Sequence, residues 1–382
     1  MSVDFDLFVV GGGPAGLASA IAAAGQGFSV AVADAWGPGI DKACGEGLMP
    51  DSVQALSALG VSVPAECGRA FEGIRFLGCG VTADARFPFG QGLGVRRTVL
   101  HELLSAEAAR CGVSLLWGAR VTGLTADGVE CEGRVIRSRW TVGADGGQSS
   151  VRRWAGLDVC HRDEHRYGFR RHYRIAPWSE FMELYWGEEK QTEACQIYVT
   201  PVGPEEVCVA LISRNPQLRL DQALPMFPEL AGRLRDAEAS SLERGAVTAS
   251  RQLKRVCTNR VALVGDASGS VDAITGEGLC LTFHQARALA RCLDPELDAR
   301  GEAGSLAGYA EEHGRLRRRP ALMADLLLMM DQRAWLRRRA LHALSVRQGT
   351  FSGMVAMHVG ALRPAEFAAH FLALGWGLLT CA

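Results

Sequence analysis

The sequence predicts an α/β protein: a parallel sheet with helices, interleaved with an antiparallel sheet and followed by a helical carboxyl-terminal arm. Three observations predict it. The chain opens on a strand, a glycine-rich turn, a helix and a second strand. Two more glycine-rich turns, near residues 143 and 265, each follow an apolar stretch. Between them the pattern changes to the alternation of half-buried strands.

The first unit begins with Phe5 to Val10, a short buried strand, followed by Gly11, Gly13 and Gly16 at G-x-G-x-x-G spacing with Pro14 and Ala15 inside the turn. An Ala-rich helix is expected from Leu17 to about Ala24, then a strand from Ser29 to Ala33 ending in Asp34. Gly11 permits the tight turn, Gly13 lets the backbone approach a pyrophosphate, and Gly16 lets the helix pack on the sheet. The helix N-terminus faces phosphate charge, and an acid at Asp34 suits ribose hydroxyls. Glycine turns also occur for purely structural reasons. Here every piece of a Rossmann-type unit stands in order, although the unit alone does not choose between a flavin and a nicotinamide dinucleotide.

The second turn is Gly143-Ala144-Asp145-Gly146-Gly147-Gln148-Ser149-Ser150-Val151-Arg152, after apolar Trp140 and Val142. The third follows Arg260 to Val264 as Gly265-Asp266-Ala267, with a helix from about Leu279. An Asp that ends a strand and opens a loop into a helix can bond the ribityl hydroxyls of a flavin while the helix end faces the ring.

These three motifs together resemble the superfamily of FAD-dependent oxidoreductases that includes geranylgeranyl reductases, aromatic hydroxylases and flavin-dependent halogenases. The resemblance covers roughly residues 1 to 295. It implies FAD as cofactor, with Gly11, Gly13, Gly16 and Asp34 on the ADP half and Asp266 at the ribityl chain. Arg97 matches the arginine that reaches FAD from a helix beginning near Leu100. Asp145 would bridge FAD and, in hydroxylases, NAD(P)H. Further cofactor contacts are implied for Pro14, Ala15, Lys42, Cys44, Gly45, Val121, Gly265, Gly276, Glu277, Gly278 and Leu279.

Two details resemble the geranylgeranyl-reductase branch. Lys42-Ala43-Cys44-Gly45-Glu46-Gly47 is similar to its K-x-C-G-G stretch, and Thr275-Gly276-Glu277-Gly278 to its T-G-E-G run. Hydroxylases usually carry a His and two prolines near the latter; here Gly269, Asp272 and Ala273 stand instead. The reductases' own proline is missing at Ala273, and the halogenase W-x-W-x-I-P signature is absent. Cys44 is either a small residue packed in a glycine turn or a catalytic thiol, protonated at neutral pH, that can pass a proton near the flavin. Lys42 is either its charge partner or a solvated loop residue.

Between residues 157 and 257, Gly168 to Arg174, Phe181 to Trp186, Cys195 to Thr200 and Val207 to Ile212 read as antiparallel strands that would roof the active site. His172, Tyr173, Tyr185 and Tyr198 are the polar aromatics on them. Most such residues simply complete a sheet. His172 is the acid/base candidate, because an unperturbed imidazole titrates near neutrality.

From Glu311 the arm is rich in arginine (Arg315, Arg317, Arg318 and Arg319, then Arg337, Arg338 and Arg339), with apolar helices over 321–330, 355–362 and 366–379. Its arginines read as solvated faces. Met329, Met330, Met354 and Met357 would make an adaptable lining for a lipid tail, a membrane surface or a dimer contact.

Bulk properties narrow the remaining classes. A net charge of −1 and the lack of a basic module give no drive toward nucleic acid. The 12 cysteines form no C-x-x-C or zinc-ligand spacing, so no metal site is expected and the thiols read as reduced. No signal-like or membrane-spanning stretch is read, which suits a cytoplasmic protein with at most peripheral membrane contact. The expected division is 1–156 and 258–295 for the FAD-binding part, 157–257 for the substrate sheet and 296–382 for the arm. With no second nucleotide domain, electrons would come from NAD(P)H binding transiently or from a donor protein. The sequence thus supports a reductase of C=C bonds in a lipophilic substrate, a monooxygenase of aromatic, polyketide or lipid substrates, or a flavoprotein without catalysis of its own.

Overall fold

The computed structural model describes residues 3–187, 195–294 and 305–362, with single positions at 366, 370 and 375. Phe5–Val10 lies between two parallel neighbours, Val30–Asp34 and Arg134–Gly143, with Leu7 opposite both Val30 and Trp140. Both of its faces are covered, which explains an unbroken apolar run rather than an alternating one. Ser114–Trp117 extends the sheet beyond Val30–Asp34, and Val261–Leu263 pairs on the other side of Thr141–Gly143. The three glycine-rich turns therefore leave the carboxyl ends of three adjacent strands. That is where an open parallel sheet reverses its strand order and binds ligands.

Helix α1 (Pro14–Ala24) starts three residues earlier than its Ala-rich run suggests, because Pro14 fits a first helical turn, where no N–H is required. Short α2 (Pro50–Ser57) and longer α3 (Arg97–Arg110) follow, and α3 begins at Arg97 itself. The brief α4 (Ser150–Trp154) follows the second turn.

The antiparallel sheet is built around the 15-residue strand Cys160–Arg174, which pairs with Glu206–Ser213 and Arg244–Leu253. Cys195–Gly203 and Phe181–Trp186 continue it. The sheet does not stop at the expected boundary. Gly73–Gly78 pairs in parallel with Phe181–Trp186, and Val81–Arg86 pairs with Gly73–Gly78, so residues from the first segment complete the second layer. Pairing across a hundred residues leaves no local trace in the sequence. On the far face, α5 (Leu220–Ala223) and α6 (Pro228–Leu234) cover Phe169, Tyr173, Tyr185, Ile197 and Val209. The near face presents Met182, Leu184, Trp186, Tyr198, Ala210 and Ile212 to the arm.

After α7 (Gly278–Cys292), which packs on α1, the arm forms α8 (Ser305–Gln332), α9 (Ala334–Val346) and α10 (Gln348–His358). Helix α8 runs straight through Pro320 instead of restarting after it. Met330, Met354 and Met357 point into the core as expected, but Met329 is exposed. Arg337 is buried rather than solvated, donating to the Met330 and Asp331 carbonyls that α8 leaves unpaired at its end. The helix read over 366–379 falls almost wholly outside the described residues. Among the described residues, no helix is long and apolar enough to cross a membrane.

The arm is pinned to the parallel sheet by two buried polar contacts. The Tyr309 hydroxyl donates to the Leu263 carbonyl at 2.7 Å, and His313 Nε2 lies 2.9 Å from the Ser268 hydroxyl. Burial, with Arg317 nearby, pushes His313 down to about 4 from the ordinary 6.5. The unfolded chain therefore takes up this proton before the folded one does. Stability is expected to be full above pH 6.5, to fall by at most about 1.4 kcal/mol per pH unit on this account toward pH 4, and to level off below it. Denaturant titrations of the wild type and His313→Gln between pH 7 and 4 measure that slope, which the variant should reduce.

Candidate active site

The site begins where the first two turns touch. Gly11 has φ +109°, and a Cβ there would lie 2.4 Å from the Ala144 carbonyl oxygen. At Gly16 it would come within 1.8 Å of the Gly11 carbonyl oxygen, so helix and turn pack backbone to backbone. Gly13 differs: nothing lies within 4 Å of its Cβ position, and it precedes α1 without a side-chain cap. Open space beside unpartnered helix N–H groups suits a pyrophosphate.

Asp34 does more than its place in the sequence suggests. Its two oxygens accept from Gly12 N–H at 2.7 Å and Trp36 N–H at 2.9 Å, fastening the glycine turn to the end of the second strand. His101, missed in the sequence, donates from Nε2 to the Gly12 carbonyl at 2.9 Å, and burial holds its pKa down. Its only signal was the i, i+4 relation to Arg97 on α3. The Arg97 Nε is buried without a partner, as a group awaiting a ligand would be.

The second turn is locked to the third. Asp145 accepts from the Ser149 hydroxyl at 2.5 Å, Ser150 N–H at 2.6 Å and Val151 N–H at 3.1 Å. Its carboxylate caps α4. Arg152, also missed, binds the Gly147 carbonyl at 2.8 Å, the Ala267 carbonyl at 3.2 Å and Asp158 at 2.6 Å. Gly265 has φ +63°, and a Cβ there would sit 2.7 Å from that of Ala15. Val121, half-buried, opens the strand Val121–Thr125 and packs against the parallel-sheet core.

At the third turn, Lys42 pairs with Asp266 at 3.3 Å; each is roughly half exposed. The lysine is therefore a clamp between the 42–47 loop and the third turn, not a free surface charge. That loop rests on the antiparallel sheet: the Cys208 thiol donates to the Cys44 carbonyl at 3.6 Å and the Thr200 hydroxyl to the Gly45 carbonyl at 2.7 Å. Cys44 itself is half-buried, its sulfur 3.4 Å from Glu46 N–H.

His172 is a correction. It lies on the near face of the sheet, but it is fully buried behind Glu46, to which Nε2 donates at 2.6 Å, with the Ser241 hydroxyl 2.8 Å from Nδ1. Glu46 also accepts from Arg97 N–H at 3.0 Å and holds a left-handed backbone, φ +59°, that glutamate rarely adopts. His172 thus secures a strained loop. Tyr173 and Tyr185 belong to the far face, and only Tyr198 of the four candidates lines open space.

That space is a narrow apolar cavity of about 40 Å³ between the near face of the sheet, the 274–275 turn and the arm. Ile74, Met182, Leu184, Leu327, Phe351 and Met354 supply its walls; Tyr198, Thr275 and His358 are its polar members. The Tyr198 hydroxyl donates to the Ile274 carbonyl at 2.7 Å, and burial raises its pKa. Gly276, at φ +68°, turns the chain toward α7, and no atom lies within 4 Å of the Cβ position at Gly278 or Gly45. Leu279 packs on the core. The Glu277 side chain is buried beneath the arm, 3.5 Å from His358.

Two groupings, Glu46–His172–Cys208 and Asp51–Cys280–His284, bring possible metal-ligand atoms within 4.8 Å. Arg170 lies 3.7 Å from Glu46, and Arg319 acts on Cys280, so a guanidinium already supplies positive charge to each.

Open space at the head of α1, a buried Arg97 Nε without a hydrogen-bond partner among the described residues and three turns meeting above one sheet fit FAD laid across the strand ends. Fold and site define an FAD-dependent oxidoreductase. More particularly, the chain belongs to the FAD binding domain family, whose model matches residues 4–323. It is 27% identical over 307 residues to the digeranylgeranylglycerophospholipid reductase 1 of Methanothermobacter thermautotrophicus, covering 73% of this chain and 74% of that one. It is 28% identical over 309 residues to the menaquinone reductase of Mycolicibacterium smegmatis, with 73% and 74% covered. Among solved structures, a geranylgeranyl bacteriochlorophyll reductase-like protein from Thermoplasma acidophilum superposes with a TM-score of 0.73 at 20% identity, covering 97% of this chain and 96% of that one. The flavin-dependent brominase Bmp2 shares the fold at 0.76 and 17%, with 97% and 98% covered.

The two kinds of glycine should separate by experiment. Gly16→Val is expected to prevent stable folding, whereas Gly13→Val should fold yet bind FAD at least about tenfold more weakly, a loss of about 1.4 kcal/mol or more. Thermal denaturation and flavin titration distinguish them.

Proposed function

We propose that this oxidoreductase saturates a carbon–carbon double bond in a lipophilic, isoprenoid-like substrate. The observation that carries the reading is the apolar cavity, whose wall includes Ile274 and Thr275 of the turn expected at the flavin ring. A chain of methylene and methyl groups suits such walls, since burying each CH₂ there is worth about 0.8 kcal/mol. The similarity to reductases of a prenylated glycerophospholipid and of menaquinone supports the same substrate class.

In this reading Gly11, Gly13, Pro14, Ala15, Gly16 and Asp34 hold the ADP half, with Arg97 and Val121 beside it. Lys42, Gly45, Gly265, Asp266, Gly276, Gly278 and Leu279 surround the ribityl and ring end. Bound FAD supplies hydride when reduced, and the chain orients the substrate and excludes water. Cys44 borders the ring as a thiol. NAD(P)H binding transiently is the electron source. The arm's outer side, with exposed Leu322, Met329 and Trp335 near Arg318 and Arg333, meets a membrane surface from which substrate enters.

The test is direct. Reduced anaerobically, the enzyme should convert a geranylgeranyl lipid or a polyprenyl quinone into a product carrying one more H₂ per saturated bond, read by mass spectrometry. On admission of oxygen it should reoxidise straight to peroxide. A persistent flavin-hydroperoxide absorbance with oxygen inserted into product would establish monooxygenation instead. Leu327→Trp, which fills the cavity, should lower kcat/KM for the long-chain substrate about tenfold or more while leaving FAD content unchanged. Cys44→Ser with unchanged turnover would remove the thiol from the chemistry.

A further inference from the structure

The turn over residues 272–276 is fastened from both sides of the chain. Asp272 Oδ1 accepts from Ile274 N–H at 3.0 Å, and the Asp272 carbonyl accepts from the Thr275 hydroxyl at 3.2 Å. The Ile274 carbonyl accepts from the Tyr198 hydroxyl. Asp272 is itself held by Arg166 of the long strand Cys160–Arg174, whose Nη1 donates to Oδ1 at 2.9 Å. The Ser250 hydroxyl lies 3.4 Å from Oδ2.

The other half of this guanidinium reaches the arm. Arg166 Nη2 donates to Gln196 Oε1 at 2.6 Å, and the Gln196 amide donates to Asp331 near the end of α8. Asp331 stands 3.8 Å from Arg166 Nη2 and 3.9 Å from Arg214, whose side chain is about half exposed. Arg166, Gln196, Asp272 and Asp331 are all buried. Desolvating a guanidinium and two carboxylates is costly, and apolar side chains filling such a space are often as stable or more so. What the buried chain of bonds supplies is a fixed distance between the arm and the turn. A stiffer device is absent at this place: Ala273 stands where the reductases carry proline. Asp272, at φ −56° and ψ 139°, already has the extended backbone that precedes a proline.

We propose that Arg166 is a positioning residue for the flavin. Through Asp272 it sets the 273–275 turn against the ring, and through Gln196 and Asp331 it makes that setting depend on the seated arm. The role rests on the reading above that this turn borders the flavin ring.

Asp272→Asn and Asp331→Asn each leave Arg166 one carboxylate, so both should fold. Each should raise the Kd for FAD about fivefold and shift the visible circular dichroism of the bound flavin. Because both act through one guanidinium, the double variant should also lose about fivefold, not the roughly 25-fold product of independent effects. Ala273→Pro, which stiffens the turn without Arg166, should return Asp272→Asn to wild-type affinity and dichroism. Single variants that melt at lower temperature yet bind flavin as the wild type does, full additivity, or no rescue by proline each overturn the positioning role. Gly278→Val probes the reading beneath it, since nothing lies within 4 Å of that Cβ position. A flavin dichroism unmoved by Gly278→Val takes the turn away from the ring, and reading and role fall together. A dichroism moved by Gly278→Val but by neither Asp variant overturns the role alone.

Discussion

Three turns can cradle one cofactor only if their backbones come closer than side chains allow, and that requirement governs the structure. Gly11 lies against Ala144, Gly16 against Gly11, and Gly265 against Ala15, with no room at any of these positions for a methyl group. Arg152 ties the second turn to the third through two carbonyls. The adjacency follows from strand order, since the turns end neighbouring parallel strands. A helix dipole or a single glycine motif would bind phosphate anywhere; the close approach of three backbones is what aligns nucleotide and ring ends along one line.

A second layer of constraint lies behind the 42–47 loop. Glu46 holds an unfavourable backbone conformation because three groups hold it there: Arg97 N–H, His172 and the Val95 N–H that its own carbonyl accepts. Strain of this kind costs on the order of 1–3 kcal/mol and persists only where its surroundings over-determine it. It gives Cys44 a fixed place between the antiparallel sheet and the third turn. The polar cluster and the apolar cavity thus divide the near face of one sheet: charges at the end over the 42–47 loop, hydrocarbon at the end under the arm.

What could be read in the sequence was local. Glycine spacing, strand-ending acids and alternation each arise within a dozen residues, and they located the parallel unit, its three turns and the inserted strands. What escaped was decided by partners far away. His172 looked like a catalyst until Glu46, 126 residues away, stood in front of it. Lys42 looked solvated until Asp266, more than two hundred residues on, met it. His358 gave no signal at all, lying in an arm that reads as apolar helix. Periodicity assigns a residue to a face; which groups meet on that face is settled by topology.

The strand Gly73–Gly78 joins the second sheet through Phe181–Trp186, and Val261–Leu263 completes the first. Both layers therefore wait on segments made much later by the ribosome. During synthesis the early strands stay unpaired along one edge until most of the polypeptide has emerged, a long-range dependence that slows folding and leaves adhesive edges in the interim. The arm packs last, over a sheet already closed, so the cell meets this enzyme's most aggregation-prone form before the apolar face beneath the arm is covered.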